Sequence, residues 1–237
     1  MNILITLCAR GGSKGIPGKN IKIISGRPLI SLSIDAANSF ARKYNAHIVL
    51  STDDELISRV AIAHGIENVH QRQAYLASDS AGKLDVISDV LLSQEKAIGV
   101  SFDYVLDLDI TSPLRNLEDL SSAFERLKND ELALNIFSVN IANRNPYFNM
   151  VEQQQNGYFG LVKTGSFLTR QSAPKVYELN ASFYFYRRRF FDSKDPKVIN
   201  EYSLIYEMPH ICFDIDHPVD FDFMEYLLTN DKIDFLS

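Results

Sequence analysis

Cysteine is scarce in this 237-residue sequence: there are two, Cys8 and Cys212. Two distant thiols cannot build a disulfide framework or, alone, a zinc site. Both are expected to be buried and reduced. No apolar run approaches the roughly 18 residues of a membrane span, and no basic region precedes an apolar stretch at the start. A signal peptide and a membrane partner are therefore not expected, and a cytoplasmic location is. Broad basic character is missing too, since 24 Lys and Arg face 30 Asp and Glu for a formal charge of −6. That balance argues against nucleic-acid binding, which needs a basic face. One further absence is local. From Met1 to Ile34 there is no Asp or Glu, while Arg10, Lys14, Lys19, Lys22 and Arg27 all fall there. A confined basic site in an acidic chain suits a small anionic ligand better than a polymer.

What is present has the composition of a globular domain, with 46% hydrophobic and 23% charged residues. The length suits a single domain over 1–237. Asn2–Ala9 is an apolar run of strand length. After a glycine-rich loop, Pro28 opens a helical pattern carrying Leu29, Ile30, Ile34, Ala37 and Phe40. His47–Ser51 reads as a strand, and Asp53-Asp54 can cap the helix that follows. Ile66–Val69 and Tyr104–Ile110 read as strands, and 83–96 and Asn116–Lys128 as helices. Such alternation implies parallel βαβ units in an α/β fold. The rhythm changes after Leu132: LALNIFSV and NASFYFYRR read as strands, and 137–185 as a segment inserted within one sheet. ICFDID reads as a further strand, followed by an amphipathic helix.

The loop ARGGSKGIPGKN, from Ala9 to Asn20, leaves the first strand where open α/β sheets bind ligands. Glycines allow close backbone approach, successive N–H groups can form an anion nest, and Arg and Lys add charge-assisted bonds to phosphate. The spacing is not that of a Walker A loop, because Ser13 stands at the first glycine position and Asn20 at the hydroxyl position. Nor is it a dinucleotide fingerprint. At the far end of the chain, FDID sets Asp214 and Asp216 on one face of an extended strand end. Two carboxylates there repel unless a cation lies between them, and Mg²⁺ suits oxygen ligands supplemented by phosphate and water. Asp216 as the N-cap of the next helix is the alternative, with Asp220 and Asp222 as helix-face charges and His217 as a surface histidine.

The loop resembles the signature of the acylneuraminate cytidylyltransferases, which make CMP-activated nine-carbon sugar acids from CTP. STDD at 51–54, YLASDSA at 75–81, TSPLR at 111–115, TRQ at 169–171, NASFYFY at 180–186 and FDID at 213–216 recur in family order over most of the chain. The resemblance implies a Rossmann-like nucleotidyltransferase fold: a mostly parallel sheet flanked by helices, with 137–185 carrying a homodimer contact. It implies CTP and a sugar acid as the small-molecule partners and Mg²⁺ on Asp214 and Asp216. Arg10 and Lys19 would then act on the triphosphate with these aspartates as the catalytic set. The nucleotide would meet Ala9, Arg10, Gly11, Lys19, Asn20, Arg72, Ser80 and Ala81. The sugar acid would meet Asp109, Arg170, Asn180 and Tyr184, with Arg170 reaching across from a partner subunit. Lys14 is either a phosphate neighbour or a solvated lysine, and Tyr184 either a ligand or core packing. Relatives commonly carry glutamine where Asp109 stands, and the legionaminic-acid-type members look most similar. A KDO-type cytidylyltransferase is a nearby alternative. Two readings come from other classes. VLDLDIT fits a phosphatase motif with Asp107 as nucleophile, and a nucleotide-binding regulator would show no turnover.

Overall fold

The computed structural model describes residues 1–13, 15–78 and 80–236. Strand β1 (Ile3–Cys8) is apolar and buried on both faces, as a central parallel strand requires. A short hairpin follows, β2 (Ile23–Ile24) with β3 (Arg27–Pro28). Helix α1 (Leu29–Tyr44) begins directly after Pro28, whose fixed φ is compatible with a helix start. Next come β4 (His47–Thr52), α2 (Glu55–Ala63), β5 (Val69–Gln71), α3 (Lys83–Ile98), β6 (Tyr104–Leu108) and α4 (Leu117–Asn129). Asp54 caps α2 by accepting from the Leu56 and Ile57 amides. Asn116 and Asp119 cap α4 reciprocally.

The second half holds β7 (Asn135–Ile141), β8 (Val151–Gln153), β9 (Phe159–Leu161), β10 (Tyr177–Arg187), β11 (Ser203–Glu207) and α5 (Pro218–Thr229). Seven strands form one sheet in the order β11-β7-β10-β6-β1-β4-β5. All run parallel except β10, which is antiparallel to both β6 and β7. β8 and β9 form a separate hairpin. The segment 137–185 thus starts inside β7 and ends inside β10. β4 and β6 flank β1 on opposite sides, so the connections diverge there and leave a crevice at the carboxyl ends of the strands. The mostly parallel, helix-flanked architecture agrees with the nucleotidyltransferase fold expected from the motifs.

The larger core packs α1, α4 and α5 onto one face of the sheet, with Phe40, Phe124 and Phe185 at its centre. The smaller core packs Ile87, Val90 and Leu91 of α3 onto Leu4, Val49 and Val105. Among the described residues no helix is long and apolar enough to cross a membrane.

Two expectations need correcting. Strand β5 lies at Val69–Gln71 rather than Ile66–Val69, because Ile66 serves the core beside the end of α2. ICFDID is not a strand: it crosses the carboxyl ends of the sheet in extended form, tied by the Ile215 amide to the Thr111 carbonyl at 2.9 Å. The last strand of the sheet is instead β11, a short half-buried stretch at the edge beside β7.

Candidate active site

The glycine-rich loop is held from several sides. The buried Ala9 donates its amide to Ser51 at the end of β4 (3.0 Å), and the Gly11 amide donates to Asp53 Oδ1 (3.0 Å). A Cβ at position 11 would come within 2.7 Å of Asp54 Oδ2, so the Asp-Asp pair fits only against glycine. The buried Asn20 turns its amide Nδ2 back to the Arg10 carbonyl (3.1 Å). Lys19 reaches across the crevice. Its Nζ donates to the Ile215 carbonyl and lies 3.6 Å from Asp216 Oδ1. Gly15 seats the other contact, since a Cβ there would overlap the Asp216 carbonyl oxygen. The first loop and the segment 213–216, nearly 200 residues apart in sequence, therefore meet.

Between them lies a cavity of about 320 Å³ whose wall includes Arg10, Ser13, Lys19, Asn20, Asp109 and Asp216. A second cavity of about 430 Å³ shares Arg10, Gly12 and Ser13 and adds Gly11 and, from YLASDSA, Ala77 and Ser78. Ser80 lies 3.3 Å from the Ser78 hydroxyl, and the Ala81 amide donates to the Ser78 carbonyl (3.2 Å). Both thus shape the turn that presents Ala77 and Ser78. Arg72 is buried and turns back onto β4, donating to the Ser51 hydroxyl (3.2 Å) and carbonyl (2.8 Å).

The carboxylates carry the electrostatics. Asp214 Oδ1 is buried and has no hydrogen-bond partner among the described residues. Burial raises its pKa, and the nearby Asp109 and Asp216 raise it further, against the neighbouring Thr111 side chain and the charge of Lys19. An orphaned, destabilised carboxylate beside a second one suits a cation. No cluster of three His, Cys, Asp or Glu stands here among the described residues. Mg²⁺, however, commonly takes one or two carboxylates and completes its shell with phosphate and water. Asp216 does not cap α5. The N-cap is His217, and Asp220, three residues on, closes the capping box: its carboxylate accepts from the Asp216 (3.0 Å) and His217 (2.7 Å) amides, so it is not merely a helix-face charge.

At the end of β6, Asp109 accepts from the Thr111 amide (2.8 Å) and hydroxyl (2.7 Å) and pairs with Lys83 (2.7 Å). Burial works against its charge, but Lys83 and Thr111 outweigh it and hold the carboxyl at about 2. Tyr184 stacks on Tyr186 and carries the Lys83 ammonium 5.3 Å from its ring. Burial raises its hydroxyl pKa. Asn180 is buried with its side chain fully engaged: Oδ1 accepts from the Ser138 hydroxyl (2.6 Å) and the Ser182 amide (3.2 Å), and Nδ2 donates to Asn140 (2.9 Å). It organises the irregularity in β10 where Ala181 takes φ +60°. Arg170 stands apart. It donates to the Ala142 carbonyl (2.7 Å) and borders a different cavity of about 450 Å³ with Asn145 and Pro174. Lys14 lies outside the described residues. The phosphatase reading fails on geometry, because Asp107 is wholly buried and bonded to the Thr6 hydroxyl at 2.8 Å.

Three residues of the site were not singled out by sequence reasoning. Lys83 gave a faint signal, as a cation immediately after Gly82 at a helix start. Gly15 is one glycine among several in its loop. Arg115, in TSPLR, is buried without a carboxylate partner among the described residues and donates to the carbonyls of Ser112, Ser182 and Asp109, each at 2.8 Å. Burial lowers its pKa to about 10.

A divergent parallel sheet, a basic glycine loop at its first strand end and a carboxylate segment facing it define a nucleotidyltransferase. The chain belongs to the cytidylyltransferase family, whose model matches residues 4–233. Its similarity runs to the legionaminic-acid side of that family, as the motifs indicated. It is 42% identical over 235 residues to post-translational flagellin modification protein B of Campylobacter coli, covering 98% of this chain and 97% of the relative. It is 41% identical over 228 residues to the CMP-N,N'-diacetyllegionaminic acid synthase of Campylobacter jejuni, covering 96% and 95%. Among solved structures, CMP:2-keto-3-deoxy-manno-octonic acid synthetase complexed with CTP superposes with a TM-score of 0.70 at 15% identity, covering 98% of this chain and all of the other. At that identity the likeness speaks for the fold.

Proposed function

We propose that this protein transfers CMP from CTP to the 2-hydroxyl of a nonulosonic acid, of legionaminic type, and releases pyrophosphate. The observation that carries the reading is the reach of Lys19 from the glycine loop to Ile215 and Asp216. It gathers cationic and carboxylate groups around one cavity, as transfer from a triphosphate demands. Arg10 and Lys19 are suited to the triphosphate and to charge developing on the departing pyrophosphate. The sugar hydroxyl oxygen attacks the α-phosphorus in line, and its proton passes to solvent. The bond from that phosphorus to the bridging oxygen breaks, and pyrophosphate keeps the electron pair. Asp214 and Asp216 would hold Mg²⁺, which when bound neutralises phosphate charge. The adjoining cavity with Ala77 and Ser78 offers room for the nucleoside.

We place Asp109 and Tyr184 on the sugar side of the cavity. We also propose a homodimer through 137–185. Exposed apolar side chains there, among them Val151, Tyr158, Phe159 and Leu168, support a covered surface. Arg170 would meet the sugar acid of the opposite subunit.

The test is pyrophosphate release from CTP with legionaminic, sialic, pseudaminic and KDO acids, each with Mg²⁺ and with EDTA. Release with legionaminic acid above the others, abolished by EDTA, is the expected result. Silence with every acid would sink cytidylyl transfer, and fastest release with KDO would replace the sugar.

A further inference from the structure

Asp107 and Asp109 lie two residues apart at the end of β6, so their side chains leave the same face. Asp107 is fully buried, and Asp109 borders the cavity. Two carboxylates this close repel. One ammonium answers both, since Lys83 Nζ lies 2.8 Å from Asp107 and 2.7 Å from Asp109. Lys83 is the first residue of α3, and the turn that presents Ala77 and Ser78 to the nucleotide cavity lies just upstream. The remaining grip on Asp109 comes from Thr111, which donates twice to Oδ1, and from Arg115, which holds the Asp109 carbonyl.

We infer that Lys83 is a positioning residue for sugar selection: by bridging Asp107 and Asp109 it fixes the Asp109 carboxylate in the cavity wall as an acceptor for a hydroxyl or amide N–H of the sugar acid. The inference rests on the sugar-acid reading above. An ionised carboxylate only accepts hydrogen bonds. It therefore favours a sugar that offers a donor at this point and rejects one that places its own carboxylate there. A site built around such a bond discriminates strongly, because a mismatched ligand leaves the carboxylate unanswered. Lys83 also sets the position against a second metal ion at Asp109, since a cation there would face the ammonium at short range. The lysine–aspartate pair thus narrows the choice of sugar.

Steady-state kinetics with CTP and the best sugar acid test this on wild type, Lys83→Met and Lys83→Met/Asp107→Asn. In Lys83→Met the KM for the sugar acid should rise about tenfold or more, as expected for losing a hydrogen bond to a charged group, with the KM for CTP within about twofold. The double variant removes the buried repulsion that Lys83 neutralised, and its sugar KM should return to within about threefold of wild type. If Lys83→Met alone does not fold, the double variant decides on the same criterion. Unchanged sugar KM in Lys83→Met, a parallel rise in both KM values, or a double variant whose sugar KM stays high would each overturn the inference. Wild-type silence would instead defeat the cytidylyl-transfer reading itself.

Discussion

Replacing Gly15 with alanine puts a methyl group where the Asp216 carbonyl oxygen now sits. The oxygen belongs to backbone, so no rotamer can clear it. The loop and the segment 213–216 must part by about an ångström, and a misplacement of that size can cost about 100-fold in rate. That factor corresponds to about 2.7 kcal/mol on the barrier. Gly15 is not in the left-handed region and belongs to neither hydrophobic core. Backbone strain and core loss are therefore not expected, and Tm should move by only a few degrees. The assay is continuous pyrophosphate release at saturating CTP and sugar acid, alongside a thermal melt. A kcat within about threefold of wild type, with an unchanged melt, would show that the two segments need not touch for catalysis.

Lys19→Ala should lower kcat by about 100- to 1000-fold, in line with loss of a preorganised donor at developing charge. Its cost in stability should be about 1 kcal/mol, from the bond to Ile215; pyrophosphate release and urea titration read the two. Asp214→Asn should abolish most turnover and, without metal, raise Tm at neutral pH. The Asp214 pKa is raised, so its stabilising contribution is complete at acid pH and is lost as pH rises through the folded value. The gain in the variant should therefore fade as pH falls toward about 4, the ordinary carboxylate range; melts in EDTA across that range check it. Asp216→Asn should move the Mg²⁺ activation curve to higher concentration, and overlaying curves would remove Asp216 from the metal.

Much of the scaffold was legible because it is encoded locally. Pro28 at the start of α1, Asp54 before α2 and Asn116 before α4 each carry a start signal within a few residues of the helix. The glycine loop was legible as an anion site because glycines and cations concentrate there without an acid nearby. FDID was misread as a strand because an extended segment with no partner strand shows the same alternation: Ile215 turns inward while Asp216 turns out. Only the tertiary position tells them apart: the Ile215 amide meets the Thr111 carbonyl, and the Ile215 carbonyl accepts from Lys19 rather than from a neighbouring strand. The Lys83 bridge was invisible for another reason. It joins residues 83 and 107, and nothing in the spacing marks an ammonium as the answer to a buried carboxylate. Arg115 left no trace either, because its partners are backbone carbonyls, which every residue has. Asn180 lies in a recognisable motif, but its contacts are internal, so its type alone could not separate ligand from scaffold.

The amides of Asp216 and His217 end on Asp220, in the first turn of a helix whose Phe221 and Met224 are buried in the larger core. Helix α5 is thus the mount on which one jaw of the proposed clamp rides, and Lys19 belongs to the other jaw. A slight rotation of that mount would open or close the jaws by carrying Ile215 and Asp216 away from or toward Lys19. Substitutions on the hidden side of α5 should therefore surface as altered turnover long before they surface as altered affinity.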